Sequence, residues 1–288
     1  MTLAHAVVRD GTLSGVDEAT IVPWWSFTKT VIAAAALTLV RDDWLALDRP
    51  LSAGYTLRQL LQHRAGLPDY GPLRDYHAAV ARHEDAWPAA DLLERAHAQR
   101  LVYPPGTGWT YSNIGYLFVR RLIEAATGKD LGAALASLVL QPLGIHRARF
   151  ARERADLEGV AGVYHYDPQW VYHGLLVGPL ADAVLLLDRL MAGKLLPDEL
   201  MSAMTSRHPL DVPPVAGRPW VAPGYGLGMM IGDVASGERF AGHTGGGPGS
   251  VVAVYHALSD GPSRTAATFL PADDQGAVES GCFALLSR

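Results

Sequence analysis

Trp24-Trp-Ser-Phe-Thr-Lys-Thr-Val-Ile-Ala-Ala-Ala-Ala-Leu-Thr-Leu-Val40 places a serine and a lysine three residues apart at the head of an apolar run. Residues 31–40 read as a buried helix, about half the length a membrane span requires. If that helix starts near Ser26, the spacing puts the Ser26 hydroxyl and the Lys29 amine on one face. Serine there also lies beside the N–H groups that a helix start leaves unfilled, which can stabilise a developing oxyanion. A lysine desolvated against Trp24, Trp25 and the apolar helix holds its proton less tightly. It could then accept the serine proton near neutral pH. The plain alternative is a capping serine followed by a surface lysine. Lys29, Lys129 and Lys194 are the only lysines, and chance supplies such a pair roughly 0.1 times in a chain of this composition.

Working outward, the ends read as strands and the middle as helices. Residues 3–8 are apolar and end at the turn Arg9-Asp10-Gly11, and residues 225–231, 251–257 and 265–270 are β-rich runs separated by Gly, Pro and Asp. Residues 274–286 suit a short closing helix. In the middle, Thr56-Leu-Arg-Gln59 is a capping box opening a helix over 57–63. A 3.6-residue apolar period spans 113–126 and stops at Gly128. Further helices are expected over 131–140, 181–192 and 197–204, the last with Pro at its first turn. This order predicts an α+β protein, a mostly antiparallel sheet flanked by helices with an inserted helical lobe. It forms a single domain over 1–288, with an α/β lobe of about 1–45 plus 215–288 and a helical lobe of about 46–214.

Two further stretches carry chemistry. Tyr111-Ser-Asn113 precedes the helix over 114–126. A phenol relays protons if a nearby lysine lowers its pKa, and an amide can hydrogen-bond a substrate carbonyl. Taken alone, Asn113 as a helix cap and Tyr111 as a core aromatic is the simpler reading. Gly242-His-Thr-Gly-Gly-Gly-Pro-Gly249 lies between two expected strands. Its glycines let the backbone approach a ligand, and a strand-edge N–H could complete an oxyanion hole; the bland reading is a flexible hairpin. No Gly-Lys-Ser/Thr follows, so it is not a phosphate loop, and Gly224-Tyr-Gly-Leu-Gly228 fails the dinucleotide spacing.

SxxK, YxN and HTG in this order resemble the serine β-lactamase and penicillin-binding-protein superfamily. Leu60-Leu-Gln-His-Arg-Ala-Gly-Leu-Pro-Asp-Tyr70 is similar to that family's LLxHxSGLPD segment. Tyr103-Pro-Pro-Gly-Thr-Gly-Trp-Thr-Tyr-Ser-Asn-Ile-Gly-Tyr116 is similar to its PPGTxxxYSNxGY segment. The likeness runs from about Trp24 to Gly249 and is greatest to the class C branch, with its carboxylesterases, D-aminopeptidases and DD-carboxypeptidases. It implies a β-lactamase/DD-peptidase-like fold. It also implies that Ser26 is the acylated nucleophile, Lys29 its general base, and Tyr111 the proton shuttle to the leaving group. By the same likeness Asn113, His243, Thr244 and Gly245 would bind substrate, His243 also supporting Tyr111. The backbone N–H groups of Ser26 and Gly246 would form the oxyanion hole. The segment before Ser26 is short for the family, lacking its helix and a strand, so the cleft is expected to be open or completed by a second subunit. Histidine in place of the usual lysine makes a fixed positive charge for a β-lactam carboxylate less secure.

Composition narrows the rest. With 49% hydrophobic and 18% charged residues the chain is globular rather than disordered. Its 24 basic residues are spread along the chain against 29 acidic ones, which argues against nucleic acid or an anionic membrane as partner. One cysteine, Cys282, excludes an internal disulfide and a Cys-rich zinc site. There is no HExxH or GxSxG; Tyr164, His165, Tyr166 and His173 are expected in a loop of the helical lobe as structural or substrate-lining residues, and Asp182 as a helix cap. The N-terminus shows no secretory pattern, giving a cytoplasmic expectation. The reading is a serine hydrolase without cofactor or metal, a carboxylesterase-type enzyme acting on a small ester or amide, with a homo-oligomer allowed. Alternatives are a D-amino-acid peptidase, DD-carboxypeptidase or β-lactamase, and, from another class, an inactive ligand-binding relative.

Overall fold

A turn at Asp10 and Gly11, with φ of +47° and +76°, folds the first described residues into a hairpin. The computed structural model describes residues 3–213, 215–259 and 261–287. β1 (Ala4–Arg9), β2 (Thr12–Val16) and β3 (Ile21–Pro23) precede a 3₁₀ turn over Trp25–Phe27 and helix α1 (Thr28–Arg41). Next come α2 (Leu57–Leu61), α3 (Arg74–Ala81), α4 (Ala89–Arg95), α5 (Asn113–Thr127) and α6 (Leu131–Leu135), which runs into a π-helical turn over Ala136–Leu140. β4 (Arg149–Ala151) and β5 (Leu175–Pro179) lead to α7 (Leu180–Met191) and α8 (Asp198–Thr205). The chain closes with β6 (His208–Pro209), β7 (Trp220–Ala222), β8 (Gly224–Tyr225), β9 (Met230–Val234), β10 (Arg239–Gly247), β11 (Ser250–Ala257), β12 (Arg264–Leu270) and α9 (Gln275–Leu286).

The large sheet runs β2-β1-β12-β11-β10-β9-β8-β6, with β7 also on β9, and every pairing is antiparallel. The expected α+β class with an antiparallel sheet is therefore what the chain adopts. A small antiparallel sheet, β3-β5-β4, stands beside it. α9 covers one face of the large sheet, where Phe240 and Phe283 stack at 4.4 Å beside buried Tyr255 and Cys282. α7 covers the other, so this helix, placed by sequence position within the helical lobe, packs on the large sheet. α1 is buried along almost its whole length, and its threonine hydroxyls stay satisfied inside: Thr30 donates to Gly228 O at 2.7 Å and Thr38 to Ala34 O at 2.9 Å.

Local chemistry accounts for most boundaries. Thr56 and Gln59 form both halves of the capping box on α2, and Gly128 ends α5 in the left-handed conformation. Three expectations change. The expected strand over 225–231 is interrupted, with β8 ending at Tyr225 and β9 starting at Met230. The cap of α5 is Ser112, whose Oγ accepts Gly115 N–H at 3.0 Å, rather than Asn113. Asp182 is not a cap; it lies inside α7 and binds Arg147 through backbone N–H (3.0 Å) and guanidinium (2.7 Å). Among the described residues no helix is long and apolar enough to cross a membrane.

Candidate active site

Ser26 sits in the 3₁₀ turn just ahead of α1, and α1 itself begins at Thr28. The turn is strained: Trp25 has a φ of +39°, a region that bulky side chains rarely enter. Its ring is held by a hydrogen bond from Nε1 to Ser250 Oγ at 3.1 Å and by an edge contact with Tyr166 at 5.5 Å. β10 closes the remaining side. A Cβ on Gly245 would stand 2.5 Å from Ser26 N and 2.9 Å from Trp24 O, so the strand can lie against the turn only without a side chain there. A Cβ on Gly246 would face the other side, 3.2 Å from Gln275 Nε2. Gly245→Ala is accordingly expected to cost roughly 1–3 kcal/mol and Gly246→Ala within about 0.5 kcal/mol, read from thermal melts of the two variants.

Lys29, in the first turn of α1, is fully buried. Its Nζ lies 3.1 Å from Ser26 Oγ, 2.7 Å from Asn113 Oδ1 and 3.1 Å from His173 Nε2. The rings of Tyr111 and Tyr116 stand 5.0 and 5.7 Å from it, in the place where the sequence suggested Trp24 and Trp25. Burial lowers the Lys29 pKa well below that of an ordinary lysine, with Asp69 opposing. For Tyr111 the direction is opposite to the expectation. Burial raises its pKa, contact with the Ser26 side chain offsets part of this, and Asp69 adds to the rise. Burial therefore holds the phenol toward its neutral form, and it is the amine whose unprotonated form the surroundings favour.

Asn113 is oriented from behind. Asp69 accepts its backbone N–H at 2.8 Å and its Nδ2–H at 3.3 Å; a carboxylate accepts only, so the amide oxygen turns to Lys29. Burial raises the Asp69 pKa, against the Asn113 N–H and the Lys29 charge. His63, in the left-handed region at φ +58°, accepts the Ser112 N–H on Nδ1 at 3.1 Å and lies 4.3 Å from the Tyr111 ring. It thereby holds the loop carrying Tyr111 and Asn113.

The strand residues divide by face. His243 is buried; its Nδ1 donates to Thr244 O at 2.7 Å, so Nε2 carries no proton and accepts from Tyr225 OH at 2.9 Å. Burial, then Lys29, pulls its pKa down to about 3, which leaves it neutral with both nitrogens engaged. Thr244 points the opposite way, its hydroxyl bonded to Tyr255 OH at 2.7 Å and to Glu279. Thus the geometry brings Ser26, Lys29, Tyr111, Asn113, Gly245 and Gly246 together, sets the His243 ring 6.3 Å from that of Tyr111 with its Nε2 taken by Tyr225, and turns the Thr244 side chain away. A cleft of about 120 Å³ opens over Ser26, walled by Trp25, Tyr70, Tyr76, Tyr166 and the Gly246–Gly247 backbone, and no Arg or Lys lines it. Tyr166 and His173, expected as loop residues, face this cleft; His63, Asp69 and Tyr225 had no reading of their own in the sequence. No cluster of three or more His, Cys, Asp or Glu side chains among the described residues is placed to hold a metal ion.

A strained serine turn backed by a buried lysine, a YxN loop and a glycine-rich strand come together in a β-lactamase-like fold. Residues 2–272 match the Beta-lactamase family, and the chain belongs to that family. It is 28% identical over 216 residues to a D-aminopeptidase of Cereibacter sphaeroides, spanning 71% of this chain and 40% of that protein. It is 32% identical over 162 residues to esterase EstB of Burkholderia gladioli, spanning 49% of this chain and 40% of the esterase. The chain thus spans well under half the length of these curated relatives. D-amino acid amidase from Ochrobactrum anthropi SV3 shares the fold, with a TM-score of 0.82 at 23% identity over 99% of this chain and 94% of the amidase.

Proposed function

We propose that the protein is a serine hydrolase that forms an acyl-enzyme on Ser26, with small esters or amides as substrates and a carboxylesterase-type reaction foremost. The observation that carries this reading is the fully buried Lys29 amine 3.1 Å from Ser26 Oγ, held toward its neutral form by desolvation. In the first step the Ser26 hydroxyl proton passes to Lys29 Nζ while Oγ bonds to the carbonyl carbon. The carbonyl oxygen takes up the negative charge and receives the N–H groups of Ser26 and Gly246. Collapse of this intermediate breaks the bond to the leaving group, which departs with the proton relayed from Lys29 through the neutral Tyr111 phenol. Water repeats the sequence on the acyl-enzyme and releases the acid.

The cleft supports a small, uncharged leaving side. It is narrow and aromatic, without a cation in its lining, and His243 is neutral with neither nitrogen free. A substrate carboxylate, as on a β-lactam or a peptide C-terminus, would lose its water there without gaining a charge partner. A second reading, cleavage of D-amino-acid amides, is supported by the likeness to D-aminopeptidase. Intact-protein mass after treatment with a fluorophosphonate is the test. One adduct on the wild type and none on Ser26→Ala is expected; a well-folded wild type that takes no adduct overturns the hydrolase reading in favour of a ligand-binding role. Turnover of D-amino-acid amides with no turnover of p-nitrophenyl esters would replace the esterase reading with the second one.

A further inference from the structure

The Lys29 amine has three neighbours within hydrogen-bond distance, and the mechanism above uses one. Ser26 Oγ lies at 3.1 Å, Asn113 Oδ1 at 2.7 Å and His173 Nε2 at 3.1 Å. His173 comes from the segment just before β5, 144 residues along the chain from Lys29, and is buried. A neutral amine carries two N–H bonds and one lone pair. To accept the Ser26 proton, that lone pair must face Oγ, so both N–H bonds need acceptors elsewhere. Asn113 Oδ1 is one, because Asp69 holds the amide nitrogen on its far side.

Resting on the hydrolase reading, we propose that His173 is a positioning residue: its Nε2 accepts the second N–H of Lys29 and so aims the amine's lone pair at the Ser26 hydroxyl. This requires the tautomer with the proton on Nδ1. That nitrogen is buried without a hydrogen-bond partner, so the fold leaves one polar group unsatisfied to present Nε2 to the amine. After proton transfer the ammonium has three N–H bonds, which meet Asn113 Oδ1, His173 Nε2 and Ser26 Oγ. Both protonation states of Lys29 are therefore satisfied by the same three atoms, and no side chain needs to move during the step. The opposite tautomer would donate from Nε2 into the lone pair and block the base.

The test compares wild type, Ser26→Ala, His173→Leu and His173→Gln by fluorophosphonate labelling rate, by kcat and KM on a p-nitrophenyl ester, and by melting temperature. His173→Leu is expected to slow labelling and lower kcat about 100-fold, since misaligned reacting groups cost on this scale, with KM held within about threefold. His173→Gln, whose amide oxygen can replace Nε2, is expected to recover at least about tenfold of that loss. Nitrogen-15 shifts of His173 in the wild type should show an unprotonated Nε2. A protonated Nε2, or a folded His173→Leu labelled at the wild-type rate or faster, overturns the proposal. A wild type that is not labelled at all overturns the hydrolase reading instead, and the nitrogen shifts, which need no turnover, still decide the hydrogen bond.

Discussion

Lys29→Met is expected to slow acylation of Ser26 by about 10³-fold, within the range for losing a positioned general base, while the fold survives. Methionine keeps the unbranched chain but ends one atom short, removing a nitrogen that is fully buried. Asn113 Oδ1 and His173 Nε2 lose a donor, but the cost of desolvating an ionisable amine also goes. Lys29→Arg should be no more active, because a guanidinium keeps its charge at every accessible pH and has no lone pair to offer. The same residue shapes stability against pH. Burial places the folded pKa of Lys29 below 10.5, the value for an unburied lysine. Between those two values the unfolded chain binds the proton and the folded chain does not, so stability from this group rises with pH through that window. Its penalty is largest below the folded pKa and disappears above 10.5. Denaturant midpoints measured across alkaline pH should therefore climb for the wild type relative to Lys29→Met; parallel curves would mean that the amine is not desolvated.

What the sequence conveyed and what it concealed separate along physical lines. Ser26 and Lys29 were legible as a pair because three residues separate them ahead of an apolar run, whereas Asn113 and Gly246 took their roles from the likeness to a family. The strands β11 and β12 and the capped α2 and α5 were legible from periodicity and from caps, which are local. The groups that tune the site are not local. His173 reaches Lys29 from 144 residues away as a lone polar residue, and Asp69, though it stands in the segment similar to LLxHxSGLPD, acts through Asn113, 44 residues further along the chain. Thr244 shows the limit of a motif: its neighbour Gly245 faces Ser26, so the pleat sends the Thr244 hydroxyl to the opposite side. The break after Tyr225 is another. Gly226 and Gly228 are needed because Met204 O and the Ala33 methyl group of α1 stand 2.3 Å from where their Cβ atoms would be. A run rich in β-formers is thereby divided by tertiary contacts that no local signal announces. The same likeness singled out Tyr111 and His243, and burial holds both toward their neutral forms.

Glu279→Ala is expected to cost about 3–5 kcal/mol, the scale for breaking a buried ion pair by removing one partner. Glu279 on α9 is fully buried and pairs with Arg218, which also donates to Gln275 Oε1 at 2.7 Å. On its other side the carboxylate accepts from the Thr244 hydroxyl. Truncation leaves the Arg218 guanidinium, mostly shielded from water, without its counter-charge and takes an acceptor from beneath β10. At the 2–4 °C per kcal/mol usual for chains slightly shorter than this one, the melting temperature should fall by roughly 10 °C. Charge and shape can be separated with Arg218→Met combined with Glu279→Leu. Removing both charges removes the stranded one, so the double variant should recover most of the loss. Thr244 lies between His243 and Gly245, and the strain at Trp25 holds only while β10 presses on the turn. Loss of Ser26 labelling on warming should consequently set in earlier in Glu279→Ala than in the double variant. If Glu279→Ala melts with the wild type, the pair does not support the strand, and the turn must be held by the Trp25–Ser250 and Gly245 contacts alone.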